Sequence, residues 1–141
     1  LGTITPASGF VGPGGAVLIG FSAGIICYFA TQMLKLRFRI DDSLDVFPVH
    51  GIGGILGTLL AGIFISADLG VFSGQGYAEG MAMDSQLKVQ FIGVLSTLAY
   101  TAILTFVLLK LVNLMVGLRV DDEEETQGLD ISQHDERGYD I

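Results

Sequence analysis

The sequence predicts an all-α fold, a polytopic helical membrane protein with three spanning helices and a polar tail. Half of the 141 residues are hydrophobic and the mean hydropathy is +0.62, which is more apolar than an ordinary soluble domain. Three uncharged apolar stretches reach the roughly 20 residues that a helix needs to cross a bilayer. None of them alternates residue by residue, as the strands of a β-barrel do. The alternative is that the three stretches are buried helices of a large soluble protein, but such proteins rarely contain three uncharged apolar stretches of this length.

The predicted elements follow one another along the chain without a break. They are a leading turn at 1–13, spans at 14–34, 44–65 and 88–118, loops at 35–43 and 66–87, and a tail at 119–141. In lipid every backbone N–H and C=O group must be paired within the segment, so the spans should be helices. The chain begins at Leu1 without a signal-peptide pattern, and we expect this start to be a cut through a longer protein.

The basic residues predict the orientation of the spans. Five of them fall on one side of the predicted membrane: Lys35, Arg37, Arg39, Lys110 and Arg119. Only Lys88 borders the other side. Because cytoplasmic loops carry the excess of Lys and Arg, the first loop and the tail should be cytoplasmic and the second loop extracytoplasmic. The expected location is therefore a cell membrane, inner or plasma, crossed several times.

The net charge of −8 describes the tail rather than the whole chain. Nine of the fifteen acidic residues lie between Asp121 and Ile141, and no basic patch indicates a nucleic-acid partner. On composition the tail is a solvated, flexible segment in which Leu129, Ile131 and Tyr139 are spaced apolar anchors. The lone Cys27 excludes an internal disulfide. The spans offer too few metal ligands, and an intramembrane enzyme would need a nucleophile or paired acids near the histidine of the second span, so we expect neither an enzyme nor a cofactor.

The second predicted span contains one histidine, His50, which lies about eight residues or 12 Å beyond a helix cap at Asp42, at 1.5 Å per residue. Asp42 or Ser43 could cap this helix, and Pro48 lies early enough to distort only its first turns. Val46 and His50 share a face, which small residues continue as Gly53, Gly54 and Gly57. An ionisable residue at this depth either bonds a neighbouring helix or serves a substrate path, and both interpretations stand at this point. The ridges Gly53-x-x-x-Gly57-x-x-x-Ala61 and Gly54-x-x-x-Thr58-x-x-x-Gly62 indicate close helix packing.

The chain resembles the C-terminal part of the Amt/Mep/Rh ammonium transporter family, on the Amt side. The residues that carry the resemblance are Ile4-Thr5-Pro6-Ala7-Ser8-Gly9, Asp41-Asp42-x-x-Asp45-Val46-Phe47-x-Val49-His50-Gly51-x-Gly53-Gly54, Gly117-Leu118-Arg119 and Gly128-Leu129-Asp130 with His134. The resemblance implies the last three of about eleven spans, a homotrimer with a pore in each subunit, and a role in nitrogen metabolism. It covers essentially the whole chain, and its Asp-Val-Phe-x-Val-His-Gly block is highly specific.

By this resemblance, His50 is the second of the family's twin pore histidines, and the pore carries ammonium or ammonia, with methylammonium as an analogue. The resemblance also implies that Val46 and Thr5 line the pore. It assigns Asp41, Asp42 and Asp45 to the cytoplasmic end, with Asp45 near the pore mouth. The tail resembles a regulatory region, which implies roles for the residues Gly128, Leu129, Asp130, His134 and Tyr139. The resemblance of the tail implies a PII-type signal protein as a partner. The spans are expected to contact membrane lipid.

Two departures qualify the resemblance. The first pore histidine belongs to earlier spans, so this chain alone does not form the pore. In the tail, His134 is followed by Asp135, where many family members have glycine. Two alternatives to a transporter stay open: an ammonium sensor that signals through its tail, and a Rh-like gas channel, against which the Gly-Leu-Asp block argues.

Overall fold

The computed structural model describes residues 2–69 and 74–138, and these residues are predominantly helical. A 3-10 turn over Thr5–Ala7 precedes the first helix, α1, over Pro13–Gln32, which continues as a π-helical turn over Met33–Arg37. A second π-helical turn over Phe47–Ile52 leads into α2, over Gly53–Phe64. The remaining helices are α3 over Met83–Met115, α4 over Asp122–Gln127 and α5 over Leu129–His134.

Among the described residues, three helices are long and apolar enough to cross a membrane, which confirms the predicted fold class. They cover Pro13–Arg37, Phe47–Phe64 and Met83–Met115. The third begins five residues before the predicted start, at 83 rather than 88. Asp84 lies in its first turn, where a carboxylate interacts favourably with the helix dipole, and pairs with Lys88 one turn on, with 3.8 Å between oxygen and nitrogen.

The chain divides into two compact units, residues 1–97 and 98–141. In the first unit α1 packs against α2 and against the π-helical turn before α2, and the 3-10 turn packs against α2. The buried residues at this junction are Ala7, Ile19 and Ala61, with Ile4 and Leu60 beside them. Small side chains at the centre let the backbones approach closely, which is how helices associate in lipid.

No residue of α3 is buried within the described chain. At 1.5 Å per residue its 33 residues extend for about 50 Å, which exceeds the hydrocarbon thickness of a bilayer. Its large apolar side chains, such as Phe91, Ile103 and Phe106, are more than half exposed. Lipid or further protein must therefore cover them.

The described part of the tail contains two short helices, over Asp122–Gln127 and Leu129–His134, which the sequence did not predict. Four acidic residues occupy the first turn of α4, where they complement the positive end of the helix dipole. The Arg119 guanidinium donates to both carboxylate oxygens of Glu125, at 2.9 and 2.7 Å. Gly128 has a φ of +100° and forms the corner between α4 and α5. Composition alone did not reveal these local pairings.

Candidate functional site around His50

His50 lies in the π-helical turn Phe47–Ile52, at the start of the second spanning helix. The turn is wider than an α-helix: the amide of Gly53 donates to the carbonyl of Pro48, five residues back. Pro48 is buried near the start of this helix, where its missing N–H leaves no helical hydrogen bond unmade. The widened turn at this proline is the distortion of the first turns that was expected. Single π-helical turns inside helices are frequently found at functional sites in proteins.

Asp42 caps this helix, and it is one of the two residues that the sequence predicted as the cap. Its carboxylate accepts the amide hydrogens of Val46 at 2.9 Å and Phe47 at 2.8 Å. These two hydrogen bonds are the main reason that the pKa of the Asp42 carboxyl lies below its ordinary value of 3.8. Ser43, the other candidate, donates its hydroxyl to Asp41 at 3.3 Å instead.

Asp45 has a different partner from Asp42. Its Oδ1 lies 2.8 Å from the ammonium nitrogen of Lys35, in the π-helical turn that ends α1. Its backbone carbonyl accepts the amide hydrogen of Val49 at 3.0 Å. The three acids predicted at this end of the span therefore differ in role: Asp41 bonds a neighbouring serine, Asp42 caps a helix, and Asp45 joins two spans.

The imidazole of His50 has one edge against the backbone of Gly2. A Cβ built on Gly2 would lie 3.2 Å from His50 Nδ1 and 3.1 Å from the Val49 carbonyl oxygen. His50 is nevertheless exposed overall, as is Val46, which is 52% exposed. Neither is therefore enclosed within this chain, and both are accessible to whatever completes the site.

The small-residue face of α2 is covered by residues 2–12, which precede α1 and are called the leading segment here. Gly53, Gly57 and Ala61, the first predicted ridge, are all buried. Thr3 is only 4% exposed and covers the two glycines. A Cβ on Gly53 would lie 2.7 Å from the Thr3 Oγ1, and a Cβ on Gly57 would collide with the Thr3 carbonyl. The second ridge is less covered, because a Cβ on Gly54 would meet nothing within 4 Å. Sequence reasoning missed Thr3, which a single threonine in a turn does not signal.

Thr5, predicted beside the pore, is an exposed residue at the start of the 3-10 turn, and Gly2 lies beside His50. In the tail, Gly128 is the corner described above, Leu129 begins α5 at 48% exposure, and His134 ends it. Tyr139 lies outside the described residues.

Within residues 2–69 and 74–138, no group of three or more His, Cys, Asp or Glu side chains is arranged to hold a metal ion. What this part of the chain places together is an accessible imidazole, a glycine backbone beside it, and two carboxylates at the start of its helix. Such a group can exchange hydrogen bonds and protons with a small polar molecule.

Comparison with known proteins yields one family. The model of the Ammonium Transporter Family matches residues 1–139. The chain is 45% identical over 140 residues to "Ammonium transporter Amt1" of Archaeoglobus fulgidus, covering 99% of this chain and 34% of the relative. It is 44% identical to a "Putative ammonium transporter" of Methanothermobacter thermautotrophicus, with the same two coverages. It is 42% identical to an "Ammonium transporter" of Aquifex aeolicus, covering 98% and 31%. The chain thus spans about a third of the length of these relatives.

Proposed function

Because this chain belongs to the Ammonium Transporter Family, we propose that it supplies the last three spans of an ammonium transporter, with His50 as a substrate contact in the pore. The observation that carries the proposal is the accessible imidazole on a widened turn near the start of a span free of charged residues between Phe47 and Phe64. An ionisable side chain at membrane depth usually faces a bundle interior or a water-filled path.

The chemical problem is the charge of the substrate. NH4+ is stabilised by water, and an apolar pore takes it only after it releases one proton and becomes NH3. The nitrogen atoms of a neutral imidazole offer NH3 one donor and one acceptor, which replace hydrogen bonds lost with water. An imidazole can accept a proton on one nitrogen and give one up from the other, so the pair formed by His50 and a histidine from another span can also relay the released proton.

The test of this proposal is transport by a full-length transporter that contains this chain. His50→Ala removes the imidazole and should lower methylammonium flux several-fold or reduce selectivity over K+. His50→Glu is the sharper variant, because a carboxylate can hold a cation and should keep flux while losing selectivity. Unchanged flux and selectivity in His50→Ala would overturn the proposal. The number of charges that cross for each ammonium taken up, measured as a current, shows whether the proton crosses with NH3.

We also propose that the transporter is a homotrimer in the cell membrane with a cytoplasmic tail. The uncovered α3 and the distribution of lysine and arginine support this arrangement. Fusing reporters that act on only one side of the membrane to Ile141 tests the orientation. Native mass spectrometry in detergent tests the trimer, and a stable monomer would contradict it.

A second candidate function is an ammonium sensor that acts through its tail on a PII-type signal protein. It is favoured by the ordered corner in which Arg119 pairs with Glu125 and Ser132 Oγ donates to the carbonyl of Gly128 at 3.1 Å. Pulldown of a PII-type protein with and without residues 121–141 discriminates the two functions. Binding without flux supports a sensor, and flux without binding supports transport alone.

A further inference from the structure

We infer that Lys35 is a positioning residue for His50, acting through Asp45. The inference rests on the proposed role of His50, but it concerns a different residue on a different span. Lys35 lies in the π-helical turn that follows α1, and His50 lies in the π-helical turn that precedes α2. Their link is the ion pair of 2.8 Å between Lys35 Nζ and Asp45 Oδ1.

The His50 turn depends on support from outside itself. Pro48 has no amide hydrogen, and the amides of Val46 and Phe47 are occupied by the Asp42 carboxylate rather than by helix carbonyls. The amide of Val49 donates to the carbonyl of Asp45. The position of the Asp45 backbone therefore decides where the turn begins and in which direction His50 projects.

Asp45 is itself held in an unfavourable conformation. Its φ is +55°, in the left-handed region where side chains other than glycine are strained. Such conformations persist only where surrounding contacts hold them. Asp45 Oδ1 is shielded from solvent and, within the described chain, makes no hydrogen bond of good geometry besides its ion pair with Lys35. Without Lys35, that buried oxygen would be left uncompensated.

The backbone that carries Lys35 is anchored, although its side chain is 41% exposed. Leu34, the residue before it, is 7% exposed. The amide of Phe38 donates to Met33 and that of Ile40 to Leu34, both at 3.1 Å, which closes the end of α1. Because α1 also packs directly against the His50 turn, Lys35 transmits the position of one span to the other.

The experiment compares Lys35→Met and Lys35→Arg in a full-length transporter. Methionine keeps the length of the side chain and removes the charge. A displacement of about 1 Å can lower a rate by roughly 100-fold, so we expect Lys35→Met to lower methylammonium flux about tenfold or to reduce selectivity over K+. Lys35→Arg should restore most of the loss, because guanidinium also pairs with a carboxylate. Arg37→Met removes a neighbouring charge and is the matched control.

A second comparison separates positioning from general support of the fold. In a His50→Ala background, Lys35→Met should cause no further change in selectivity, because no imidazole remains to be displaced. An equal effect in both backgrounds would overturn the inference, and so would normal flux and selectivity in Lys35→Met. If Lys35→Met does not assemble, the exchange Lys35→Asp with Asp45→Lys restores the pair and should recover assembly and flux. Failure of that exchange while Lys35→Arg is normal would also overturn it.

The outcomes also separate this inference from the proposed function. Normal transport by His50→Ala overturns the proposed function whatever Lys35 does. Impaired transport by His50→Ala together with normal transport by Lys35→Met overturns only the role of Lys35.

Discussion

The backbone carbonyl of Thr3 lies directly over Gly57, so close that a Cβ on the glycine would collide with it. The contact seats the leading segment on α2, and it places Gly2 of the same segment against the imidazole of His50. Glycine at position 57 is therefore required by a backbone approach rather than by an unusual dihedral angle.

We predict that Gly57→Ala destabilises the protein by about 1–3 kcal/mol, because the added methyl must displace the Thr3 backbone. The matched control is Gly54→Ala, in the same helix, where a Cβ would meet nothing within 4 Å. There the better helix propensity of alanine, up to about 1 kcal/mol, should leave stability unchanged or improved. The apparent melting temperature of the full-length transporter in detergent measures both. Equal destabilisation by the two variants would contradict this assignment.

Asp42 provides a pH-dependent contribution to stability. Hydrogen bonds from Phe47 and Val46 lower its pKa in the folded protein below the ordinary value of 3.8. A carboxyl with a lowered folded pKa stabilises above its unfolded pKa, and that stabilisation is lost as the pH falls through the folded pKa.

We therefore predict that Asp42→Asn lowers the melting temperature at neutral pH and that its difference from the native protein shrinks below about pH 4. Melting curves between neutral and acid pH measure the difference. Asp41→Asn, which affects a carboxylate bonded to Ser43, is the control and should have little effect. A difference for Asp42→Asn that stayed constant over the whole range would refute the linkage.

Tyr77 connects the second loop to α2. Its hydroxyl donates to the carbonyl of Gly62 at 2.9 Å in a partly buried position. We predict that Tyr77→Phe costs about 0.5–1.5 kcal/mol, the usual net value of one such hydrogen bond. The change should appear in the melting temperature and in faster hydrogen exchange of the loop. Tyr100→Phe, on the exposed surface of α3, is the comparison. A loss as large at Tyr100 as at Tyr77 would argue against this hydrogen bond.

Gly128 holds the corner between α4 and α5 at a φ of +100°. An alanine in this region is strained by about 1–3 kcal/mol, so we predict that Gly128→Ala disrupts the corner. Limited proteolysis should then cleave the tail faster, and any binding of a PII-type protein should weaken. Gly138→Ala serves as the control, since it too has open space but no positive φ. Unchanged cleavage and binding would show that the corner tolerates a side chain.

The sequence by itself determined the membrane character, the number of spans and the acidic cap before His50. Each of these depends on local composition and order along the chain: three apolar lengths, a histidine within one of them, and an aspartate four residues before Val46. The family resemblance also rested on local order, and the match over residues 1–139 confirmed it. The two short helices of the tail were not predicted, because composition does not report a pairing such as Arg119 with Glu125.

Only the tertiary structure decided which neighbours hold His50. Position along the chain separates Thr3 from Gly57 and Lys35 from Asp45, and no periodicity links either pair. Packing of the leading segment against α2 brings Thr3 to Gly57, because the glycine lets the two backbones approach. Packing of α1 beside the start of α2 brings Lys35 to Asp45, whose shielded carboxylate oxygen pairs with the lysine ammonium. Hydrophobic pattern thus predicts which segments become helices in the membrane, whereas close contact determines how the functional side chain is positioned.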